Sequence, residues 1–213
     1  VALWPRSPDP AEPGAIPTRT APTVDLDAER GKAALRPCPS GAPDAPGPQP
    51  LRGVTVTCLG DGRPVDVAST ASGPAVVNFW ATWCIPCQEE LKVLDAYARE
   101  PGAVPVVAVL VESKEADGLE LLAKLGVRLP AVADPADGVR RAARTPRTLP
   151  LSYVVGADGS LTQVTDPVVF ESVELKHQVF QEIETVTLGL DDIRVRVAAR
   201  SGITAEPPGR KRQ

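Results

Sequence analysis

The spacing of hydrophobic positions changes several times along the chain, and each change marks an element. Val54-Thr-Val-Thr-Cys-Leu59 alternates and is rich in β-branched residues, which reads as a strand. Asp61-Gly62 is a hairpin turn signal, and Pro64–Val67 reads as the return strand. Ala75-Val-Val-Asn-Phe-Trp80 is a nearly unbroken apolar run, as expected of a central strand covered on both faces. A helix is predicted over Ile85–Arg99, stopped by Pro101-Gly102. Val104–Val111 reads as a second buried strand. Lys114–Leu125 reads as a helix, with Gly126 just past its end. Val132 falls in a short strand and Pro135–Ala143 in a short helix. Leu151–Val155 and Leu161–Val164 flank a turn at Asp158-Gly159, giving a second hairpin. In a last helix over Glu171–Leu188, Leu175, Val179, Ile183 and Val186 share one face. Alternating β and α elements argue for parallel pairing, and the terminal hairpin for an antiparallel part. The expected fold is α/β: a mixed central β-sheet with helices on both faces, plus an N-terminal β-hairpin.

Composition divides the chain further. Twelve of its 24 prolines fall within the first 50 residues. That density favours extended, solvated backbone, so residues 1–50 are expected to be a flexible Pro-rich linker, with a short helical piece around Asp25–Leu35. The folded domain is expected over 51–190, followed by a weakly ordered extension over 191–213. There Ile193, Val195 and Val197 alternate like a strand, while Asp191-Asp192 looks like a helix start. The whole chain is 43% hydrophobic and 23% charged, a globular balance. A net charge of -4, with three Phe and two Tyr, excludes a nucleic-acid surface. No apolar run approaches the roughly 20 residues of a membrane-spanning helix. Val1-Ala2-Leu3-Trp4 before Pro5-Arg6 reads equally as the end of a removed signal or anchor segment and as four uninformative residues.

The candidate chemistry lies in Trp80-Ala-Thr-Trp-Cys-Ile-Pro-Cys87, between a buried strand and an amphipathic helix. Two cysteines three apart at a helix start reach each other for a disulfide. The first sulfur lies over unpaired N–H groups at the positive end of the helix dipole, which favours the attacking thiolate. Cys84, the outer sulfur, is therefore the expected nucleophile, and Cys87, one turn in, the resolving thiol. Pro86 fits the first turn, where a missing N–H costs nothing. The competing reading of a C-x-x-C pair is half of a zinc site, completed by Cys38 and Cys58. Neither of those two belongs to a zinc-like pair, and no metal is expected. Glu90 projects from the helix side that carries Leu91 and Leu94, where an acidic group is costly without a task. Its alternative is to reach solvent or to pair with Lys92 or Arg99. Trp83 is the expected surface aromatic and Trp80 a packing residue. His177, the only histidine, is expected on a solvated helix face, which leaves a Cys–His mechanism without support.

Val77-Asn-Phe-Trp-Ala-Thr-Trp-Cys-Ile-Pro-Cys-Gln-Glu-Glu90 resembles the active-site stretch of the TlpA/ResA-like branch of the thioredoxin superfamily. The resemblance covers roughly Leu51–Leu188 and is strongest over Val76–Leu94. It implies a thioredoxin fold and an extracytoplasmic thiol–disulfide oxidoreductase, secreted or anchored to the membrane by a segment absent from this chain. Many members are reductases in cytochrome c maturation. It implies no cofactor beyond the redox-active Cys84–Cys87 disulfide, with protein dithiols and disulfides as substrates and a membrane thiol as electron donor. It also implies that Glu90 tunes the thiols and that Leu149-Pro150 carries the family's cis-proline. Substrate would contact Trp83, Ile85, Pro86, Leu149 and Pro150, with the Leu149 backbone offering hydrogen bonds to an extended chain. Asn78 stands where cytoplasmic thioredoxins have a buried aspartate. Leu151-Ser152 departs from the family's Thr-rich stretch, which bears on substrate preference. In an oxidising compartment Cys38 and Cys58 are expected to pair as a structural disulfide, the alternative being two independent free thiols. Three rival functions remain: a dithiol oxidase that inserts disulfides, a non-catalytic binding module, and a peroxidase, a class that lacks this Trp-Cys-x-Pro-Cys arrangement.

Overall fold

The computed structural model describes residues 24–41 and 47–165. The helix expected over 171–188 and the extension over 191–213 lie outside the described residues. Among the described residues seven strands form one sheet: β1 (Thr55–Cys58), β2 (Pro64–Asp66), β3 (Ala75–Trp80), β4 (Val106–Leu110), β5 (Ala131–Ala133), β6 (Leu151–Val155) and β7 (Leu161–Gln163). Their order is β2-β1-β5-β4-β3-β6-β7. The β3–β4 and β4–β5 pairs are parallel, and the other pairs are antiparallel. The sheet is therefore mixed, as expected. Among the described residues five α-helices accompany it: α1 (Leu26–Ala33), α2 (Val67–Thr70), α3 (Ile85–Tyr97), α4 (Glu115–Leu125) and α5 (Gly138–Ala143).

Side-chain alternation along the strands sorts the core into two layers. Val76 and Trp80 of β3, Ala108 and Leu110 of β4, and Ala131 and Ala133 of β5 face Leu91 and Leu94 of α3 and Leu119 and Leu122 of α4. Val77, Phe79, Val107, Val109, Val132 and Tyr153 face the opposite way, toward Val67 and Ala68 of α2 and Val139 of α5. Phe79 and Tyr153 meet edge to face, with ring centroids 6.0 Å apart. Burial pushes the Tyr153 phenol above its ordinary pKa. All six residues of β3 are buried, which explains its unbroken apolar run. Helix α4 lies so close to β4 that a Cβ on Gly118 would come within 2.5 Å of Leu110 Cδ2. Gly126 ends α4 in the left-handed region at φ 69°.

Two local expectations need correction. The strand after the Asp61-Gly62 turn stops at Asp66 instead of running through Val67. The Asp66 side chain accepts the Ser69 N–H, a helix cap, so Val67 begins α2 and not the end of a strand. The stretch read as a linker over 1–50 is, over residues 24–41, part of the folded body. Asp25 caps α1, and Ala33 is buried in the layer that holds α3 and α4. Arg36 donates to the carbonyls of Arg128 and Ala98 at 3.1 Å each. Two residues on, Cys38 is disulfide-bonded to Cys58 at the end of β1. Proline density hid this because the anchoring uses few side chains, each widely separated in sequence from its partner.

Cys38 and Cys58 are 20 residues apart. Loop-closure entropy assigns such a crosslink about 3 kcal/mol. The double variant Cys38→Ser/Cys58→Ser is expected to lose stability of that order in denaturant unfolding of the oxidised protein. A midpoint equal to that of the parent would show that the bond constrains nothing.

Candidate active site

Strand β3 ends at Trp80, and four residues later Cys84 caps the N-terminus of α3. The chain turns through Ala81–Trp83, with Cys84 N–H donating to the Ala81 carbonyl at 3.1 Å. The Gln88 side chain donates to the Thr82 carbonyl at 3.0 Å and ties the turn back to the helix. Thr82 donates to the Ser113 hydroxyl through both its N–H, at 3.0 Å, and its own hydroxyl, at 3.1 Å. Cys84 and Cys87 are joined by a disulfide across the first turn of α3, and Cys87 N–H lies 3.3 Å from Cys84 Sγ. The first sulfur thus accepts from one of the helix's otherwise unpaired N–H groups, the arrangement that favours thiolate after reduction.

Cys84 is 4% exposed and Cys87 fully buried. The outer sulfur is therefore the first cysteine, but by a smaller margin than its place in the sequence implied. What surrounds it is open and apolar. Trp83 and Ile85 are 58% and 65% exposed, and Pro86 is exposed beside them. Trp80 is fully buried, a packing residue as expected. The Leu149-Pro150 bond is cis. Strand β6 pairs Leu151 with Phe79, so Pro150 stands at the end of β3 from which the chain runs to Cys84.

Glu90 is fully buried and does not reach solvent. Lys92 pairs with Glu89 instead, and Arg99 with Asp95. The Asn78 amide donates to Glu90 Oε2 at 2.8 Å and to the Ser152 hydroxyl at 3.0 Å. Asn78 and Ser152 are direct partners across β3 and β6. Alternation along β3 turns Asn78 toward α3, so a carboxyl placed one turn after Cys87 meets a donor there. Cys87 and Glu90 are three apart on one helix side, a spacing that brings Cβ atoms to about 5–6 Å. The sequence singles out Glu90 and Asn78 separately but not their bond, and it passes over Ser152, which reads only as a departure from a family pattern. Among the described residues no cluster of three or more metal-ligating side chains exists. Cys38 and Cys58 are bonded to each other and so do not complete a four-thiolate set with Cys84 and Cys87.

Replacing the Asn78 donor with a second acid tests this network. In Asn78→Asp two carboxyl groups share one buried site, and repulsion raises the pKa values of the folded pair above those of the unfolded chain. Stability then falls as pH rises through that window. Asn78→Asp is expected to be less stable than the parent by a larger margin at pH 7 than at pH 4.5 in urea unfolding. A margin independent of pH would show that the introduced carboxyl does not face that of Glu90.

Residues 48–164, more than half of the chain, match the AhpC/TSA family. The thiol:disulfide interchange protein CycY of Rhizobium leguminosarum bv. viciae is 33% identical over 86 residues, covering 40% of this chain and 46% of CycY. The thiol-disulfide oxidoreductase ResA of Bacillus subtilis is 25% identical over 115 residues, covering 53% of this chain and 64% of ResA. The matched segment thus spans about half to two thirds of these relatives. Among solved structures, a secreted Mycobacterium tuberculosis disulfide oxidoreductase homologous to E. coli DsbE superposes with a TM-score of 0.55 at 25% identity, covering 63% of this chain and 98% of that one. A β3–α3 unit with a disulfide across the helix start, a cis-proline at the neighbouring strand and these similarities fix the classification: the chain has a thioredoxin fold and belongs to the AhpC/TSA family.

Proposed function

We propose that the chain is a thiol–disulfide oxidoreductase that reduces disulfides of exported proteins through Cys84 and Cys87. The observation that carries this reading is the disulfide closed across the first turn of α3, with Cys84 as the helix cap. The similarity to ResA, CycY and the secreted mycobacterial oxidoreductase supports the same chemistry. The intact pair argues against a non-catalytic binding module. Work outside the cytoplasm fits a chain whose four cysteines all lie in disulfides.

In the reducing direction the Cys84 thiolate attacks one sulfur of the substrate disulfide. A bond forms between Cys84 and that sulfur, the substrate S–S bond breaks, and the departing thiolate takes a proton. Cys87, as thiolate, then attacks Cys84 Sγ. The Cys84–Cys87 disulfide forms, and the second substrate sulfur leaves as thiolate and is protonated. Two electrons pass from the dithiol to the substrate, and a membrane thiol donor returns them. Trp83, Ile85 and Pro86 form the apolar rim against which substrate packs, and the Leu149 backbone beside Pro150 adds hydrogen bonds to its extended chain. Glu90, held by Asn78, tunes the pair: negative charge near the thiols disfavours thiolate, hence the reduced form, and makes the dithiol a better reductant. Reduction of disulfides in cytochrome c maturation is the pathway that the resemblance to TlpA/ResA-like proteins favours.

The reading predicts an asymmetry between the two cysteines. Cys87→Ser is expected to accumulate a covalent complex with a disulfide-bonded protein such as insulin, visible as a reducible band in non-reducing electrophoresis. Cys84→Ser is expected to form none, and both variants lose turnover. Trapping by Cys84→Ser alone would reverse the roles, and full insulin reduction by both variants would remove the dithiol from the reaction.

A further inference from the structure

Arg140, Arg141, Arg144 and Arg147 fall within eight residues of a chain whose net charge is -4. Helix α5 and the loop after it gather them, with Asp137 and Thr145, around an open cavity of about 250 Å³. Arg140 is its floor. It is 5% exposed and donates to Glu112 Oε1 at 2.6 Å and to the Pro146 carbonyl at 3.1 Å. Arg147 reaches Glu112 and Asp137 at 3.4 Å each and is largely exposed. Among the described residues the Arg141 guanidinium donates only to the Ala136 carbonyl. Among the described residues the Arg144 guanidinium has no partner, and the buried Thr145 hydroxyl has none either. Asp134 lies under the start of α5, where its carboxylate accepts the backbone N–H groups of Gly138, Val139 and Arg140. Three carboxylates, Glu112, Asp134 and Asp137, thus stand against four guanidinium groups, and Asp134 is turned to the backbone of α5.

The cavity shares the dithiol's end of the sheet. Leu110 of β4 pairs with Trp80 of β3, so Glu112 emerges beside the turn that leads to Cys84. Its neighbour Ser113 accepts both hydrogen bonds from Thr82, two residues before Cys84. On the other side Arg147 precedes the cis Leu149-Pro150 bond by two residues. One continuous frame therefore carries the arginines, the cis-proline loop and the redox pair.

We propose that this basic cavity binds an acidic segment of the protein whose disulfide is exchanged at Cys84–Cys87, and so selects substrates by the charge flanking their cysteines. The inference rests on the exchange reading above and names its partner. Arg144 is the free fork, and Arg141 beside it is held through one nitrogen by the Ala136 carbonyl; both are exposed and suited to a side-chain carboxylate. Glu112 and Asp137 temper the cavity's charge, which favours a carboxylate over a doubly charged phosphate.

Binding of fluorescein-labelled, cysteine-free peptides to the oxidised full-length protein tests this without any thiol chemistry. Acidic peptide is expected to bind at least about tenfold tighter than a basic peptide of equal length, and more weakly as salt is added. Arg141→Glu/Arg144→Glu is expected to abolish that preference, with Arg141→Gln/Arg144→Gln intermediate. In disulfide-bearing versions of the peptides, the ratio of acidic to basic exchange rates is expected to fall toward one in the charge-reversed variant. Equal binding of acidic and basic peptides, or a preference that survives charge reversal, overturns the proposal. So does displacement of acidic peptide by millimolar inorganic phosphate, or tighter binding to anionic phosphatidylglycerol vesicles than to peptide. Failure of the parent protein to react with hydroxyethyl disulfide counts against the exchange reading itself, and the cysteine-free peptides still decide the cavity's preference.

Discussion

The hydrogen bond from Asn78 to Glu90 joins the middle of the most buried strand to the first turns of the helix that carries the dithiol. Both residues are fully buried, away from bulk water. Removing one partner leaves the other short of a hydrogen bond in a place where that costs about 1–3 kcal/mol, more for a charged group. Burial of Leu91 and Leu94 holds α3 to the sheet, but apolar contacts alone tolerate sliding. The Asn78–Glu90–Ser152 network is directional, and it fixes the rotation and register of α3 relative to β3 and β6. From that register follow the position of Cys84 at the helix start, the burial of Cys87, and the approach of the Leu149-Pro150 loop to the same end of the sheet.

The proposed function sets two opposing fields on the sulfurs. In the proposed reductase the N-terminus of α3 favours negative charge on Cys84, while the acid held one turn beyond Cys87 disfavours it. Thiolate stabilisation makes a dithiol more oxidising, because it stabilises the reduced form. A buried acid works in the other direction. In the proposed reductase, the same hydrogen bond that holds the helix also holds the acid that makes the pair reducing.

The central elements were legible in the sequence for identifiable reasons. A six-residue apolar run means a strand covered on both sides, and β3 is buried throughout. Gly126 and the cysteine spacing mark helix ends by local chemistry. What escaped notice depends on tertiary contact. Helix α1 has little apolar surface beyond Leu26, Ala33 and Leu35, so nothing local says that it docks. Helix α2 follows β2 without a break, and its only signal is the Asp66 cap. Pairing of β1 with β5 joins residues over 70 positions apart and follows no local pattern. At the site, Cys84, Cys87, Glu90 and Pro150 stood out as single residues. Ser152 and the arginines after Asp137 did not, because their meaning lies in what the fold sets beside them.

The direction of exchange is the point on which fold, site and function meet, and the equilibrium of the Cys84–Cys87 pair with glutathione tests it most directly. A reductase of this design is predicted to have a potential at or below about -230 mV, toward the thioredoxin end of the scale. A value near about -120 mV, that of a strong oxidant, would contradict it.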